Sequence, residues 1–277
     1  MKKLLAVAAL ATTLAACQQS GPPQATTSAS AATPVVAVSE RSTSPAAAPV
    51  TPPADAASAD FLKRYDLAGA LQLLPEGDAA VRVLNGFYGP DNYRMELVLL
   101  QVRRDPTAPN RYLVAGKDRY KKTITPLAGT ITLTKVQLRP TASAEEEFQH
   151  YAVTGIYELR EDPAAHGAGL FKGKLALDVA RENKTNRIYY SAYYDTPAKG
   201  GGLLLTGDWT SLATGQRKPA TWVAELFQYQ GPQVAEDFVL GERDPSINPK
   251  YAKQGWNHYW DNDEWWVSSP GAVASNR

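Results

Sequence analysis

Glycines recur inside stretches of this sequence that otherwise alternate like β-strands. In each case an apolar residue stands two places before the glycine, and an apolar or aromatic residue follows it within two places. The occurrences are Leu84-Asn85-Gly86-Phe87, Leu127-Ala128-Gly129-Thr130-Ile131, Val153-Thr154-Gly155-Ile156, Phe171-Lys172-Gly173-Lys174-Leu175 and Leu205-Thr206-Gly207-Asp208-Trp209. Because glycine weakens a strand, its repeated use indicates tight bends or close backbone approach. The pattern therefore predicts a closed or strongly coiled sheet.

Candidate strands follow one another at nearly regular spacing, separated by turn-prone clusters such as Gly89-Pro90-Asp91-Asn92 and Asp162-Pro163. The predicted strands are 79–88, 93–103, 111–117, 123–138, 148–159, 169–180, 187–194, 202–210 and 221–228. This rhythm predicts an all-β domain, an antiparallel meander that forms a small β-barrel. A barrel of about eight strands also removes the strand edges that invite aggregation. A β-sandwich with the same strand number is the alternative.

The segment Leu205-Thr206-Gly207-Asp208-Trp209 resembles strands of avidin-like and lipocalin-like barrels in its hairpin rhythm. The resemblance implies a barrel that holds a small ligand. Thr210 and Ser211 do not supply the Trp-x-Asn sequence that an avidin strand uses for its ligand. No biotin-binding residue is therefore carried over to this chain.

The N-terminal residues have the layout of a secretory signal, with Lys2 and Lys3 before an apolar run that is too short to span a bilayer. The run ends in Leu14-Ala15-Ala16-Cys17, which resembles the lipobox of bacterial lipoproteins. The resemblance implies that residues 1–16 are removed and that Cys17, the single cysteine, carries diacylglycerol and an acylated amine. Gln18 stands where inner-membrane lipoproteins carry Asp, which implies the outer membrane, on its periplasmic or cell-surface side. An ordinary secretory signal cut near Ala16 is the alternative.

The mature N-terminal region, 17–58, consists mainly of Ala, Pro, Ser, Thr and Gln, with no aromatic residue. Such a composition cannot bury enough apolar surface to fold, so it predicts a disordered tether. Without Lys2 and Lys3 the basic residues fall from 29 to 27, against 28 acidic residues. This near-neutral balance, with no polybasic patch, argues against a nucleic-acid partner.

The folded domain is predicted to span 59–230 and to begin with a short helix. Ser58 is the predicted cap of a helical pattern that starts at Asp60 and reaches Leu74 before Pro75 ends it. An irregular, aromatic-rich tail, 231–277, is predicted to pack on the domain. Within it, Asn248 to Gly255 has a cap residue, a proline at the first helical position and a terminal glycine, which predicts a short helix.

The tail contains four of the six tryptophans. The candidate ligand-binding residues are Trp256, His258, Tyr259, Trp260, Trp265 and Trp266. Flat aromatic faces between polar residues are suited to stacking on sugar rings, which predicts a glycan or a small apolar molecule as ligand. The alternative is that the indoles cover a sheet face or plug the barrel mouth. The acidic run Asp261 to Glu264 lacks the glycine and distal glutamate of an EF-hand, so no metal site is predicted.

Motifs of catalysis are mostly absent from the sequence. The three histidines have no zinc spacing, and there is no Gly-x-Ser-x-Gly elbow or Ser-x-x-Lys pair. The sequence therefore predicts no catalytic residue and no cofactor, and it favours a lipid-anchored envelope protein that binds a ligand. One alternative is a structural module with an envelope protein partner. Another is a hydrolase with an unrecognised carboxylate pair, for which Glu225, Glu236, Asp237 and Glu242 are available.

Overall fold

The computed structural model describes residues 53–73, 82–140, 147–192, 198–199, 201–240, 247–259 and 264–267. The chain divides into two units, Met1–Ala48 and Pro49–Arg277, and every described residue lies in the second. The predicted signal peptide, Cys17 and most of the predicted tether lie outside the described residues.

The described strands pair antiparallel throughout. They are β1 (Leu84–Tyr88), β2 (Tyr93–Asp105), β3 (Ala108–Tyr120), β4 (Thr123–Leu138), β5 (Phe148–Glu161), β6 (Gly169–Glu182), β7 (Ile188–Tyr190), β8 (Leu203–Ser211) and β9 (Arg217–Val223). Each strand from β1 to β6 pairs with the next, β6 pairs with β8, β8 with β9, and β9 with β1. The strands thus close into a ring, with β7 beside the last residues of β6. The predicted all-β barrel is confirmed, and the sandwich alternative is wrong.

The strand glycines lie where neighbouring strands come too close for a side chain. A Cβ atom at Gly129 would collide with the backbone of Glu158 on β5. Gly173 and Gly207 face each other across β6 and β8, and a Cβ on either would strike the opposite strand. The close backbone approach that these glycines predict is therefore confirmed.

Two β-bulges bend the barrel beside further glycines. The register of β2 shifts between Leu99 and Gln101, opposite Gly116. The register of β4 shifts between Leu133 and Lys135, opposite Gly155. Because a bulge and a glycine each permit a sharp bend, together they form the corners at which the strands turn around the barrel axis.

Large aromatic side chains fill the interior. Trp222 is fully buried, and its ring lies 4.7 Å from that of Phe171 and 6.4 Å from that of Tyr157. Gly86 is the cross-strand partner of Trp222, and a Cβ atom there would collide with the indole. The missing side chain on β1 therefore makes room for the largest side chain on β9.

Two short helices, α1 (Ala56–Arg64) and α2 (Ala68–Leu71), pack their leucines into the barrel core. The backbone N–H of Leu67 donates to the buried Tyr112 hydroxyl at 3.0 Å, which ties them to β3. The predicted cap was wrong: Asp55 caps α1 by accepting from the Ser58 N–H at 2.9 Å. Ser58 is buried, and its hydroxyl accepts from the Val136 N–H of β4 at 2.8 Å.

The chain after β9 forms what we call the C-terminal layer, the described residues from 226 onward. It contains α3 (Gln233–Leu240), α4 (Ile247–Lys250) and single 3₁₀ turns at Leu226–Gln228, Ala252–Gln254 and Trp256–His258. The predicted helix from Asn248 is thus split into α4 and a 3₁₀ turn, which ends at Gly255 with φ of 82°. The sequence did not predict α3. None of the described helices has the length and hydrophobicity needed to cross a bilayer.

The C-terminal layer covers the outer face of the join between β1 and β9. Phe87 of β1 and Val223 of β9 point outward into a second apolar cluster with Leu226, Val234 and Trp256. The Trp256 ring lies 5.0 Å from that of Phe87. The join between the first and last strands of the barrel is therefore sealed from outside.

Gly173→Ala is expected to lower the free energy of unfolding by about 1–3 kcal/mol, because the added methyl group meets the backbone of β8. Gly69→Ala in α2 is the control, since a Cβ atom there has no neighbour within 4 Å. The control is expected to raise the free energy of unfolding by about 0.4–1 kcal/mol. Urea denaturation measures both, and equal effects would contradict the close-approach argument.

Candidate functional site

The outer face of β2 and β3 carries a buried cluster of charges. Strand alternation turns Arg94 and Glu96 outward on β2, and Arg119 of β3 lies directly opposite Glu96. Arg94 donates from Nη2 to Glu96 Oε1 at 2.8 Å, and Arg119 donates from Nε to Glu96 Oε2 at 2.5 Å. The Arg94 and Glu96 side chains are each only 6% exposed. One carboxylate is thus shared by two guanidinium groups under the protein surface.

The same arginines hold the C-terminal layer against the barrel. Arg94 donates from Nη1 to the His258 carbonyl oxygen at 2.9 Å, and its guanidinium lies 5.6 Å from the Tyr259 ring. The Arg119 guanidinium lies 5.1 Å from the Trp265 ring. Since cations are attracted to aromatic faces, these contacts attach the aromatic tail to β2 and β3.

A groove of about 710 Å³ opens beside this cluster, between the β2–β3 outer face and the C-terminal layer. It is lined by Tyr93, Arg94, Glu96, Arg119, Lys121, Lys122, Thr123, Ala252, Gly255, Asn257 and His258. Lys121 and Lys122 form the turn between β3 and β4, because Tyr120 pairs with Thr123. The Lys121 ammonium lies 5.3 Å from the ring centres of both Tyr93 and Tyr120.

The candidate ligand residues of the tail differ in position. His258 is exposed and lines the groove. Trp256 is fully buried beneath it and donates from Nε1 to the Asn92 carbonyl oxygen at 3.0 Å. Burial raises the pKa of Tyr259 to about 12, although Arg94 opposes the shift. These residues form one connected region that packs on the barrel.

The other predicted residues lie at the far end of this region. Trp265 is buried against Arg119, and its ring meets that of the half-buried Trp266 edge-on at 5.8 Å. The Trp266 carbonyl oxygen accepts from Lys117 Nζ at 2.8 Å. Trp260 and residues 261–263 of the acidic run lie outside the described residues.

A pair of acids lies inside the barrel near the hairpin turns that follow β1, β3 and β5. Asp118 is 1% exposed and Glu161 is 6% exposed. Glu161 Oε2 accepts from Trp209 Nε1 at 2.8 Å and from the Gly169 N–H at 2.5 Å. A Cβ atom at Gly169 would collide with the Trp209 indole, so glycine is needed where the two donors meet.

Asp118 lacks such donors, because neither of its carboxyl oxygens accepts a hydrogen bond from a described residue. Burial, and next the negative charge of Glu161, raise the pKa of Asp118 to about 9. Asp118 therefore keeps its proton at neutral pH. Its neutral form avoids placing two negative charges in the same apolar interior.

Sequence reasoning missed this pair and considered other acids. The alternation along β3 could have revealed Asp118, because every second residue faces inward and Asp118 is in step with Tyr112, Val114 and Gly116. Glu161 follows Tyr157 and Leu159 in the same way on β5. The predicted strands ended at 117 and 159, so both acids fell just outside the alternation that would have turned them inward.

Within the described residues, no group of three or more His, Cys, Asp or Glu side chains is arranged to bind a metal ion. Comparisons of the chain with models of protein families, with curated proteins and with solved structures found no match. The function must therefore be argued from the residues themselves.

Asp118→Asn is expected to flatten the pH dependence of stability. Folded Asp118 holds a proton that the unfolded chain loses near pH 4, so the free energy of unfolding falls as pH rises from about 4 to about 9. Asparagine has a similar shape but does not ionise. The stability of the variant relative to the native chain is therefore expected to increase from pH 4 to pH 8. Urea denaturation between pH 4 and pH 9 measures the difference.

Asp105→Asn is a control for which the pH dependence of stability should change in the opposite direction. Hydrogen bonds from Thr107 and Arg111 lower the pKa of Asp105 to about 2. Its contribution to stability is therefore present above pH 4 and is lost as pH falls toward 2. Asp105→Asn should weaken the fold at neutral pH and have less effect in acid. Parallel pH profiles for Asp118→Asn and the native chain would contradict a raised pKa of Asp118.

Proposed function

We propose that this chain is a lipid-anchored protein of the bacterial outer membrane whose β-barrel domain binds a small molecule or glycan without chemical conversion. The proposal has two parts with different support. The membrane anchor rests on the sequence around Cys17. The binding function rests on the groove between the β2–β3 outer face and the C-terminal layer.

The anchor is supported by the agreement of three features in the first 18 residues: the basic start, the short apolar run and the Leu-Ala-Ala-Cys ending before Gln18. Each buried methylene of an acyl chain contributes about 0.8 kcal/mol, so several chains hold a protein firmly on a bilayer. The low-complexity residues after Cys17 would let the barrel stand away from the membrane surface.

The groove is the observation that carries the binding function. Trp222, Tyr157 and Phe171 occupy the barrel interior, where a lipocalin-like barrel would hold its ligand. The groove has the volume of a small-molecule site and combines aromatic, amide and charged groups. Binding at the outer face is therefore the arrangement that this barrel favours.

The aromatic tail supports the groove chiefly as scaffold. Trp256 lies beneath it, while Tyr259 and Trp265 stack against the arginines of the wall. A ligand in the groove would contact His258 and Asn257 from the tail side and Tyr93 from the barrel side. Stacking of a sugar ring is thus expected on Tyr93 rather than on the buried indole of Trp256.

The buried acids give little support to a hydrolase. Asp118 lies near Glu161 and has a raised pKa, as one of two paired catalytic acids does, but both acids are almost fully buried. A substrate would have to displace the side chains around them to reach either carboxyl group. The hydrogen bonds that Glu161 accepts from Trp209 and Gly169 instead indicate a structural role at the barrel end.

Cys17→Ser is expected to abolish incorporation of labelled palmitate and to move the protein out of the membrane fraction, because serine has no thiol to acylate. Gln18→Ser is the matched control and should remain lipidated. Gln18→Asp is expected to move the protein from outer-membrane to inner-membrane fractions. Palmitate labelling and density-gradient fractionation measure these outcomes. An unmodified thiol at Cys17 of the native chain would refute the anchor.

Ala252→Trp is expected to block ligand binding, because Ala252 is exposed and lines the groove. The probes are chitotriose, as a neutral glycan, N-phenyl-1-naphthylamine, as an apolar molecule, and glucose 6-phosphate, as a charged sugar. At least one should raise the melting temperature of the native chain with concentration, since binding only the folded state adds stability. In the Ala252→Trp variant, the same melting shift should require an at least about tenfold higher concentration of the probe.

The matched control is Ala213→Trp, at an exposed position in the turn after β8 and away from the groove. It should leave the melting shift unchanged. If no probe shifts the melting temperature, the binding function is refuted. If both tryptophan variants bind equally well, the ligand site lies elsewhere.

A further inference from the structure

We infer that the ligand of the groove carries an anionic group, a phosphate or a carboxylate, which Lys121 and Lys122 bind at the turn between β3 and β4. This inference rests on the proposed function, because it names the chemical class of ligand for the same groove.

The charges of the lining point to an anion. Four cationic side chains line the groove, those of Arg94, Arg119, Lys121 and Lys122, against the single carboxylate of Glu96. Both oxygens of that carboxylate already accept from the arginines. The cations at the rim therefore create a positive potential between low-dielectric walls, which attracts and retains an anionic group.

Lys121 and Lys122 are the side chains placed to make direct contact. The structure gives neither lysine an ion-pair partner among the described residues. Both lysines are exposed, and the Lys121 ammonium lies near Tyr93 and Tyr120. Two ammonium groups on a two-residue turn can bind the same phosphate or carboxylate from adjacent positions.

The backbone of Lys121 supplies an independent argument. Its φ is 58°, in the left-handed region where glycine or asparagine is far less strained than lysine. Two-residue hairpin turns favour glycine or asparagine at a position with positive φ for this reason, yet this turn has Lys121 there. The sequence thus keeps a cation at a position where turn stability alone would select another residue, as is typical of strained residues at binding sites.

The groove volume favours a compact anion, such as a phosphorylated or acidic sugar, over a long polymer. The same anionic chemistry occurs in a soluble sugar phosphate and in the headgroup of a phospholipid. We commit to the soluble ligand, because the groove is enclosed on its second side by the C-terminal layer. Vesicles of phosphatidylglycerol and of phosphatidylcholine test the lipid source.

Titration calorimetry of the full chain with glucose 6-phosphate and with glucose tests the inference. Glucose 6-phosphate should bind at least about tenfold more tightly than glucose, and added salt should weaken only the phosphate-dependent part. Glucuronate, compared with glucose in the same way, tests whether a carboxylate suffices.

Lys121→Asn distinguishes an effect on ligand affinity from an effect on folding stability. Asparagine tolerates the left-handed conformation, so the free energy of unfolding should stay the same or rise. Affinity for glucose 6-phosphate should fall about tenfold in Lys121→Asn combined with Lys122→Gln, because both ammonium groups are lost. The matched control is Lys174→Gln combined with Lys199→Gln, which removes the same charge from exposed lysines outside the groove and should leave affinity unchanged.

Each result discriminates between the two proposals. Tight binding of glucose 6-phosphate that only the groove double variant weakens supports the inference. Equal binding of glucose and glucose 6-phosphate, blocked by Ala252→Trp, overturns the anionic class and keeps the proposed binding function. Binding that both lysine pairs weaken equally, or binding only to phosphatidylglycerol vesicles, overturns the inference as stated. If none of the sugars binds and the neutral probes also fail, both proposals are refuted.

Discussion

The close contact between strand backbones, permitted by glycine, is the constraint on which the rest of this structure depends. At Gly173 and Gly207 the backbones of two paired strands lie so close that a methyl group would not fit between them. Such contacts let the strands coil tightly around a narrow interior, which Trp222 and its aromatic neighbours fill. A narrow, filled interior leaves the outer faces as the surfaces on which this barrel can bind a ligand. The close strand contacts at glycine thus account for both the curvature of the barrel and the position of the groove on its outer face.

Strand β3 separates two opposite electrostatic environments. Asp118 and Arg119 are adjacent in sequence but point to opposite faces of the sheet. The inner face holds the protonated carboxyl group of Asp118 beside Glu161, and Glu161 accepts hydrogen bonds from Trp209 and Gly169. The outer face holds arginines that share Glu96 and contact the tail. A shift of β3 by one residue would exchange these environments, so the charges as well as the apolar residues specify its register.

Much of the architecture could be predicted from the sequence because strand alternation, turn residues and strand glycines all agree. The sequence predicts the span 123–138 of β4 to the residue. The predicted strand 221–228 lies too late in the chain, because β9 begins before Pro219, at Arg217. The structure accommodates that proline where β1 has already ended, and its carbonyl oxygen accepts from the Gly89 N–H at 2.8 Å.

The groove itself was not predictable in the same way. Its walls come from distant parts of the chain, since Arg94 meets His258 and Arg119 meets Trp265. The aromatic tail was recognised from composition, but composition does not distinguish a ring that faces a ligand from one that packs beneath it. The strained conformation of Lys121 is a property of the backbone and has no counterpart in the residue pattern.

The covering of the join between β1 and β9 has a consequence for how the molecule assembles. Phe87 and Val223, on which the tail docks, come from the first and last strands, so the docking surface exists only after the ring has closed. The residues that dock there follow both strands in the chain. The C-terminal layer therefore packs on a surface that the closed barrel provides. A chain truncated before Trp256 would expose an aggregation-prone apolar surface along the join between β1 and β9.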